Sequence, residues 1–260
     1  MKTSWGGVAG WYDKVVNDYD SYQARVLLPN ILRIVAPKHG EKILDLACGQ
    51  GYFSHALAAE GAQVTGVDIA PELIDIAKKH ADHNEEFLVS SADNLSAFAD
   101  MSFDVVVCVL AIQNIERMAE AFRQVSRVVR AGGRFVLVLN HPSFRIPGKS
   151  SWGFDEKADT QYRRVDVYMS ESRVEIDMEP GRVVSESAAA CGRGAKEVTY
   201  SFHRPLQAYF KSLANAGFAV LRLEEWMSHK ESEQGPRKAA EDRARREFPM
   251  FLCIECRKER

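Results

Sequence analysis

"KILDLACGQGYFSHALAAEGAQVTGVDIA", residues 42–70, decides the fold. The apolar run Ile43–Ala47 predicts a strand, Gly49 and Gly51 a turn, and Tyr52 to Glu60 a helix that Gly61 caps. "AQVTGVDIA" predicts a second short strand. Two acids are set into this unit. Asp45 lies in the first strand, four residues before Gly49, and Asp68 ends the second strand, 23 residues after Asp45. An acid at Asp45 would repel a pyrophosphate but suits an ammonium group, directly or through water. Asp68 stands where a carboxylate accepts hydrogen bonds from ribose hydroxyls. Each also has a plainer reading: Asp45 as a structural strand-end acid, Asp68 as a cap for the helix that opens at Pro71. Gly49 and Gly51 let backbone approach a ligand without a side-chain clash.

The rhythm continues outward from this stretch. "SYQARVLLPNILRIVA" has helical spacing interrupted by Pro29, and Pro71 opens a helix reaching His80. "EEFLVSSAD", "FDVVVCVLA" and "RFVLVLN" predict the third, fourth and fifth strands. "RMAEAFRQVSRVVR" predicts an amphipathic helix ended by Ala131-Gly132-Gly133. Alternating strands and helices over 21–140 predict an α/β fold, a doubly wound, mostly parallel Rossmann-like sheet with right-handed crossovers. After Asn140 the pattern changes. "YRRVDVYMSESRVEIDM" predicts two alternating segments forming a hairpin, "GRVVSESAAACGRGAKE" a loop and "VTYSFH" a further strand. "PLQAYFKSLANAG" predicts a helix, "FAVLRLEEW" the sixth strand of the sheet, and "PMFLCIECRK" an antiparallel seventh. The expected organisation is one domain over 1–260: a cofactor-binding core at 21–140, an inserted substrate lid at 141–200, and the last helix and strands at 201–260.

The 260 residues are 46% hydrophobic and 27% charged, with a net charge of -2. That balance gives no electrostatic case for nucleic acid or an anionic membrane as partner. No 18-residue apolar stretch predicts a membrane span, and the first twenty residues lack the apolar core of a signal peptide. The five cysteines are scattered, which suggests reduced thiols and a cytoplasmic protein. Cys253 and Cys256 are spaced C-x-x-C, but a strand would send them to opposite faces, and no second pair or histidine cluster completes a metal site.

A third glycine at the position of Ser54 would suit a nicotinamide dinucleotide, and that fingerprint does not ask for Asp45. A phosphate loop is excluded because no GK[ST] follows. A ligand with an amino acid at one end and a ribose at the other satisfies both Asp45 and Asp68. "DLACGQG" resembles the first motif of the class I S-adenosylmethionine-dependent methyltransferases, Asp/Glu-x-Gly-x-Gly-x-Gly, with Ala47 in place of the first glycine. "VTGVDIAPELIDIAKKHA", "SADNLSAFADMSFDVVVCVLAIQNI" and "EAFRQVSRVVRAGGRFVLVL" are similar to the motifs that follow, in order, over about residues 40 to 140. Within the family the chain resembles the small-molecule branch that includes quinone-pathway and methyltransferase-11-type enzymes. The resemblance implies S-adenosylmethionine as cofactor. It implies that Asp45 and the backbone from Ala47 through Cys48 and Gly49 to Gly51 hold the methionine end, that Asp68 takes the ribose, and that Ile69 packs on the adenine. It further implies Asp93 as acceptor for the adenine amino group, Ala92 and Asn94 framing the ring, Leu110 beside the sulfonium, and Tyr12 and Tyr19 closing over the cofactor.

The acceptor side falls after the fourth and fifth strands and in the insertion. Gln113 and Asn114 stand where many relatives carry histidine. His141 follows the fifth strand and could face the methyl as a base, or be bonded within its own turn. His203 is a second candidate base, with capping of the following helix as its plainer role. Tyr162, Arg163 and Arg164 could bind an anionic acceptor or form a solvated hairpin face. Phe144, Trp152 and Phe154 could wall an apolar pocket or pack the insertion onto the sheet. The expected activity is methyl transfer to a small-molecule oxygen, nitrogen or carbon. A non-catalytic cofactor sensor, or transfer to protein or RNA, are the alternatives. The sequence carries no prediction of oligomeric state.

Overall fold

A computed structural model describes residues 19–177 and 198–259. Its centre is a seven-stranded sheet. In chain order the strands are β1 (Lys42–Leu46), β2 (Gln63–Asp68), β3 (Glu85–Val89), β4 (Phe103–Val109), β5 (Val129–Asn140), β10 (Phe218–Trp226) and β11 (Phe251–Lys258). Across the sheet they run β10-β11-β5-β4-β1-β2-β3. The pairs β1–β2, β1–β4, β2–β3 and β4–β5 are parallel, whereas β11 runs antiparallel to both β5 and β10. The order reverses between β1 and β4, which opens a crevice beyond their carboxyl ends.

Both faces of the sheet are covered. One side packs Leu44, Leu46, Val106, Phe122, Phe135 and Tyr209; the other packs Ile31, Ile43, Leu57, Val105, Val107 and Val138. The continuous apolar run of β4 serves both, since alternate residues enter opposite layers. The first layer is covered by α4 (Met118–Val128) and α5 (Leu206–Asn215), the second by α1 (Leu28–Val35) and α2 (Tyr52–Ala59). The helix α3 (Pro71–Lys79) starts on Pro71, has Glu72 in its first turn and Lys78 and Lys79 in its last, a charge order that complements the helix dipole. A charged helix, α6 (Lys238–Glu247), precedes β11.

Three expectations need correction. Pro29 does not interrupt a helix: it sits in the first turn of α1, where a missing N–H costs nothing, and a π-helical turn at Gln23–Leu27 leads into it. The helix α4 stops at Val128 rather than at the glycines, because β5 already begins at Val129 and a register shift separates the Phe103 and Val105 pairings. The two segments of "YRRVDVYMSESRVEIDM" do not pair with each other. Instead β7 (Thr160–Val165) pairs with β6 (Ser150–Asp155), and β8 (Ser172–Asp177) with β9 (Val198–His203), giving two separate antiparallel hairpins. Alternation marks a strand but does not name its partner. Cys253 and Cys256 do enter opposite layers of the core. No helix among the described residues is long and apolar enough to cross a membrane. Tyr12, Cys191 and the whole of the expected loop before β9 lie outside the described residues.

Gly66 on β2 is required by packing. A Cβ there would meet the Phe87 ring at 2.5 and 2.6 Å and Cys48 Sγ at 2.9 Å, with Phe87 buried. Gly66→Ala is expected to lower stability by about 1–3 kcal/mol, as overpacking of a rigid core does, and Phe87→Leu in the same chain to recover part of it. Chemical denaturation of both variants checks this.

Candidate cofactor and active site

The crevice is built from the turn after β1. Cys48 N–H donates to Val67 O at 2.9 Å and Gly51 N–H to Cys48 O at 3.1 Å, which folds residues 47–51 tightly against β2. The fold requires left-handed backbone at Ala47 (φ 60°), Gly49 (58°) and Gly51 (87°). Gly51 also begins α2, and a Cβ there would lie 2.9 Å from His55 Nε2. Ala47 adopts the conformation that the family motif meets with glycine. Leu110, at the end of β4, is likewise left-handed (φ 52°). Strain at two facing non-glycine residues marks the mouth of the crevice.

Asp68 is a keystone of this turn. Its Oδ2 accepts from Gly49 N–H at 3.0 Å and its Oδ1 from Ala70 N–H at 2.9 Å. Asp45 is held by Ser54, whose hydroxyl donates to Oδ2 at 2.7 Å inside the protein. Ser54, the residue at the third-glycine position of the dinucleotide fingerprint, is the buried hydroxyl that aims the first acid.

The electrostatics of the pair are unusual. Burial pushes the Asp45 carboxyl up to about 7, the Ser54 hydrogen bond opposes the rise, and the nearby Asp68 charge adds to it. Burial also raises Asp68, against the backbone N–H groups of Ala70, Gly49 and Ile69. Neither acid has a salt-bridge partner among the described residues. Two buried carboxylates in one cleft ask for a cation. A positively charged amino-acid end at Asp45 and hydroxyls at Asp68 would meet that demand, so the donor set fits a cationic nucleoside.

One cavity collects Asp45, Ala47, Cys48 and Gly49 from the turn, Asp68 and Ile69 from the end of β2, Leu110 from β4, and Asn114 from the 3-10 turn Ile112–Asn114. Gln23, Gln50, Tyr52, Phe53, Leu73, Val109, Ala111 and Ile115 also line it and were not singled out from sequence. Gln50 had a signal, its place between the two glycines. Its Nε2 is buried with no hydrogen-bond partner among the described residues, leaving a donor free.

Other expected site residues stand apart from this cavity. Ala92 packs into the core; Asp93 accepts from Ser91 Oγ at 2.5 Å and lies 3.3 Å from Arg117; Asn94 is exposed and its backbone oxygen accepts from Ser90 Oγ. Tyr19 is 86% exposed and does not close over the cleft. Gln113 is buried beside the cavity wall, its Nε2 donating to Leu110 O at 2.6 Å, while Asn114 Nδ2 donates to Tyr200 O at 2.9 Å and ties the wall to β9.

The two histidines are corrections. His141 does not face the cavity. Its Nδ1 accepts from Ser143 N–H at 3.2 Å, so the proton sits on Nε2, which donates to Glu225 at 2.7 Å. Both ring nitrogens are engaged, and burial lowers its pKa against the pull of Glu225. His203 is buried and donates through Nε2 to Tyr168 O at 2.8 Å. It caps nothing either, because the Tyr168 hydroxyl accepts from Leu206 N–H at the start of α5. Phe144, Trp152, Tyr162 and Arg163 gather instead around the β6–β7 hairpin: Phe144 and Trp152 both contact Phe248, Arg163 lies over Trp152, and Tyr162 covers Gly153. No cluster of three metal-ligating side chains occurs among the described residues.

This geometry defines an α/β nucleoside-binding protein with paired acids at a strand-switch crevice. The profile of a family described as "Methyltransferase domain" matches residues 44–137. A crystal structure of an S-adenosylmethionine-dependent methyltransferase from Mesorhizobium loti superposes with a TM-score of 0.65 at 26% identity, covering 88% of this chain and 96% of that one. The chain is similar to a demethylmenaquinone methyltransferase from Clavibacter sepedonicus, 33% identical over 141 residues, 51% of this chain and 57% of the relative. It is also similar to a ubiquinone biosynthesis O-methyltransferase from Xanthomonas oryzae, 34% identical over 105 residues, 39% of this chain and 44% of the relative. The chain spans about half the length of these relatives. Over residues 44–137 the chain resembles the S-adenosylmethionine-dependent methyltransferases, a likeness that implies S-adenosylmethionine as the cofactor.

The raised Asp45 pKa carries a signed prediction. Folding costs more as pH rises, because the buried acid must ionise above about 7 whereas the unfolded one ionises near 4. Asp45→Asn keeps an acceptor for Ser54 and removes that cost. The ligand-free variant is expected to match the parent below about pH 4, to gain over it as pH rises to about 7, and to be about 1–3 kcal/mol more stable at pH 8, with cofactor binding weakened. Melting curves across that range check it.

Proposed function

We propose that the chain transfers the methyl group of S-adenosylmethionine to a small-molecule acceptor by direct in-line displacement. The observation that carries this reading is the pair of buried, cation-seeking carboxylates, Asp45 and Asp68, lining one cavity at the strand-switch crevice. The bound cofactor supplies a methyl group on a positively charged sulfur, already a good leaving group. The chain's own task is to bind, align and exclude water. Asp45, aimed by Ser54, receives the ammonium; Asp68 receives the ribose; Ile69 and Leu73 supply apolar surface for the base; Leu110 and Asn114 border the side from which an acceptor approaches.

The names of the quinone-pathway relatives favour a small aromatic acceptor, and the net charge of -2 disfavours nucleic acid. We read 141–200 as a substrate-side insertion into a single domain. The free thiols of Cys48, Cys108, Cys253 and Cys256 favour a reducing, cytoplasmic compartment. A cofactor-sensing protein without turnover is the competing reading, and the near-complete cofactor motif speaks against it.

Calorimetric titration with S-adenosylmethionine, followed by an acceptor screen for S-adenosylhomocysteine release, tests the proposal. Saturable binding with turnover is expected. Binding without turnover on any acceptor favours the sensor, and no binding defeats both. Asp68→Ala is expected to weaken binding by about 1–3 kcal/mol. An unchanged affinity would remove Asp68 from the ligand's contacts.

A further inference from the structure

Among the described residues before β1, Gln23 alone lines the cofactor cavity. Its side-chain amide offers a ligand both donors and an acceptor. It opens the π-helical turn Gln23–Leu27, which Leu28 N–H closes by donating to Gln23 O. Such a turn holds one residue more than an α-turn, so what precedes it is rotated by about 100° against the helix that follows. Downstream, Val26, Leu27 and Ile31 are buried in the layer beneath α1 and α2. The wide turn lets one helix bury those three and still present Gln23 to the crevice.

Upstream, the chain is tied to the loop after β10. The Tyr22 hydroxyl meets the Ser228 hydroxyl at 3.0 Å, and the Tyr22 ring stands edge-on to His229 and Phe251, with centroids 5.1 and 5.7 Å away. His229 Nε2 lies 3.2 Å from both the carbonyl oxygen and Oδ1 of Asp20. Both of those atoms are acceptors, so Nε2 carries the proton. Lys230 Nζ pairs with Asp20 Oδ2.

The receiving loop is itself anchored. Lys230 N–H donates to Ser228 Oγ at 3.1 Å. Ser232 N–H donates to Asp242 Oδ1 on α6 at 2.8 Å, and Arg245 Nε to Ser232 Oγ at 2.9 Å. A single half-exposed ion pair would contribute little. Here an ion pair, hydrogen bonds and a ring contact converge on the consecutive residues Ser228, His229 and Lys230. They hold a short segment that the core already holds at Val26 and Leu27. Gln23 lies between the two anchors, and what the second anchor adds is its position at the cavity wall.

Resting on the methyl-transfer reading, we propose that the Asp20–His229–Lys230 cluster is a latch that positions Gln23 against the bound nucleoside and so sets how long the chain retains it. Asp20 does not line the cavity. It is a positioning residue that acts through Gln23.

The test follows dissociation of S-adenosylhomocysteine from the full chain by stopped flow, with melting temperature measured beside it. Asp20→Asn is expected to speed dissociation about three- to tenfold, and Gln23→Ala by a similar factor. The double variant is expected to dissociate no faster than Gln23→Ala alone, because both changes act on one contact. Tyr22→Phe removes only the hydroxyl bond to Ser228; it should speed dissociation by a smaller factor, and it carries the same cycle if Asp20→Asn does not fold. A cluster that merely tethers the chain would lower the melting temperature and leave dissociation unchanged, and that result overturns the proposal. Effects of Asp20→Asn and Gln23→Ala that multiply in the double variant also overturn it. A parent chain that binds no S-adenosylhomocysteine is a separate outcome: it defeats the methyl-transfer reading, and this proposal falls with it.

Discussion

The carboxylate of Asp68 fixes the relation between the two halves of the site. It closes the turn after β1 onto the end of β2 through Gly49 and starts the chain toward α3 through Ala70. Each oxygen still has acceptor capacity, because a carboxylate offers about four lone-pair sites and the Gly49 and Ala70 N–H groups take one on each oxygen. One group can therefore hold the architecture and face a ligand. The left-handed residues of the turn follow from this closure: the chain must reverse within 47–51 and leave room above it, and Ala47 takes a strained conformation to do so.

Asp45 is the other half of the constraint. A hydroxyl fixes its orientation, but one neutral hydrogen bond does not replace the water lost on burial, and a second acid lies near. The ligand-free cleft is thus electrostatically unfinished. An ion placed there would be bound by the relief of a cost already present in the fold, which is a form of preorganisation. The same tension makes the site sensitive to pH near neutrality.

Much of this was legible in the sequence, for physical reasons that can be named. The parallel core could be read because each strand is a local apolar run and each βαβ connection follows one handedness. Asp45 and Asp68 could be read because their spacing is set by that local unit. Less could be read where partners are distant in the chain. The role of Ser54 depends on a contact across nine residues and a buried geometry. His141 looked catalytic because it follows a strand end, but Glu225, 84 residues away, holds its Nε2. β7 and β8 alternate in the same way, and only the folded chain shows that each pairs elsewhere.

In the proposed reaction the groups met by Asp45 and Asp68, an ammonium and a ribose, are the same before and after transfer. Their interactions count equally in ground and transition states. They raise affinity and leave the turnover rate unchanged. The rate must come from the other wall, where Leu110 is held in a left-handed conformation, Gln113 is bonded back to its carbonyl, and Asn114 is tied to Tyr200 on β9. That wall is hydrogen-bonded to the end of β4 and tethered to a hairpin outside the seven-stranded sheet. Changes in the β8–β9 hairpin can therefore alter the approach of an acceptor while the acids that hold the nucleoside stay in place. A fold divided in this way can change its acceptor without rebuilding its cofactor site.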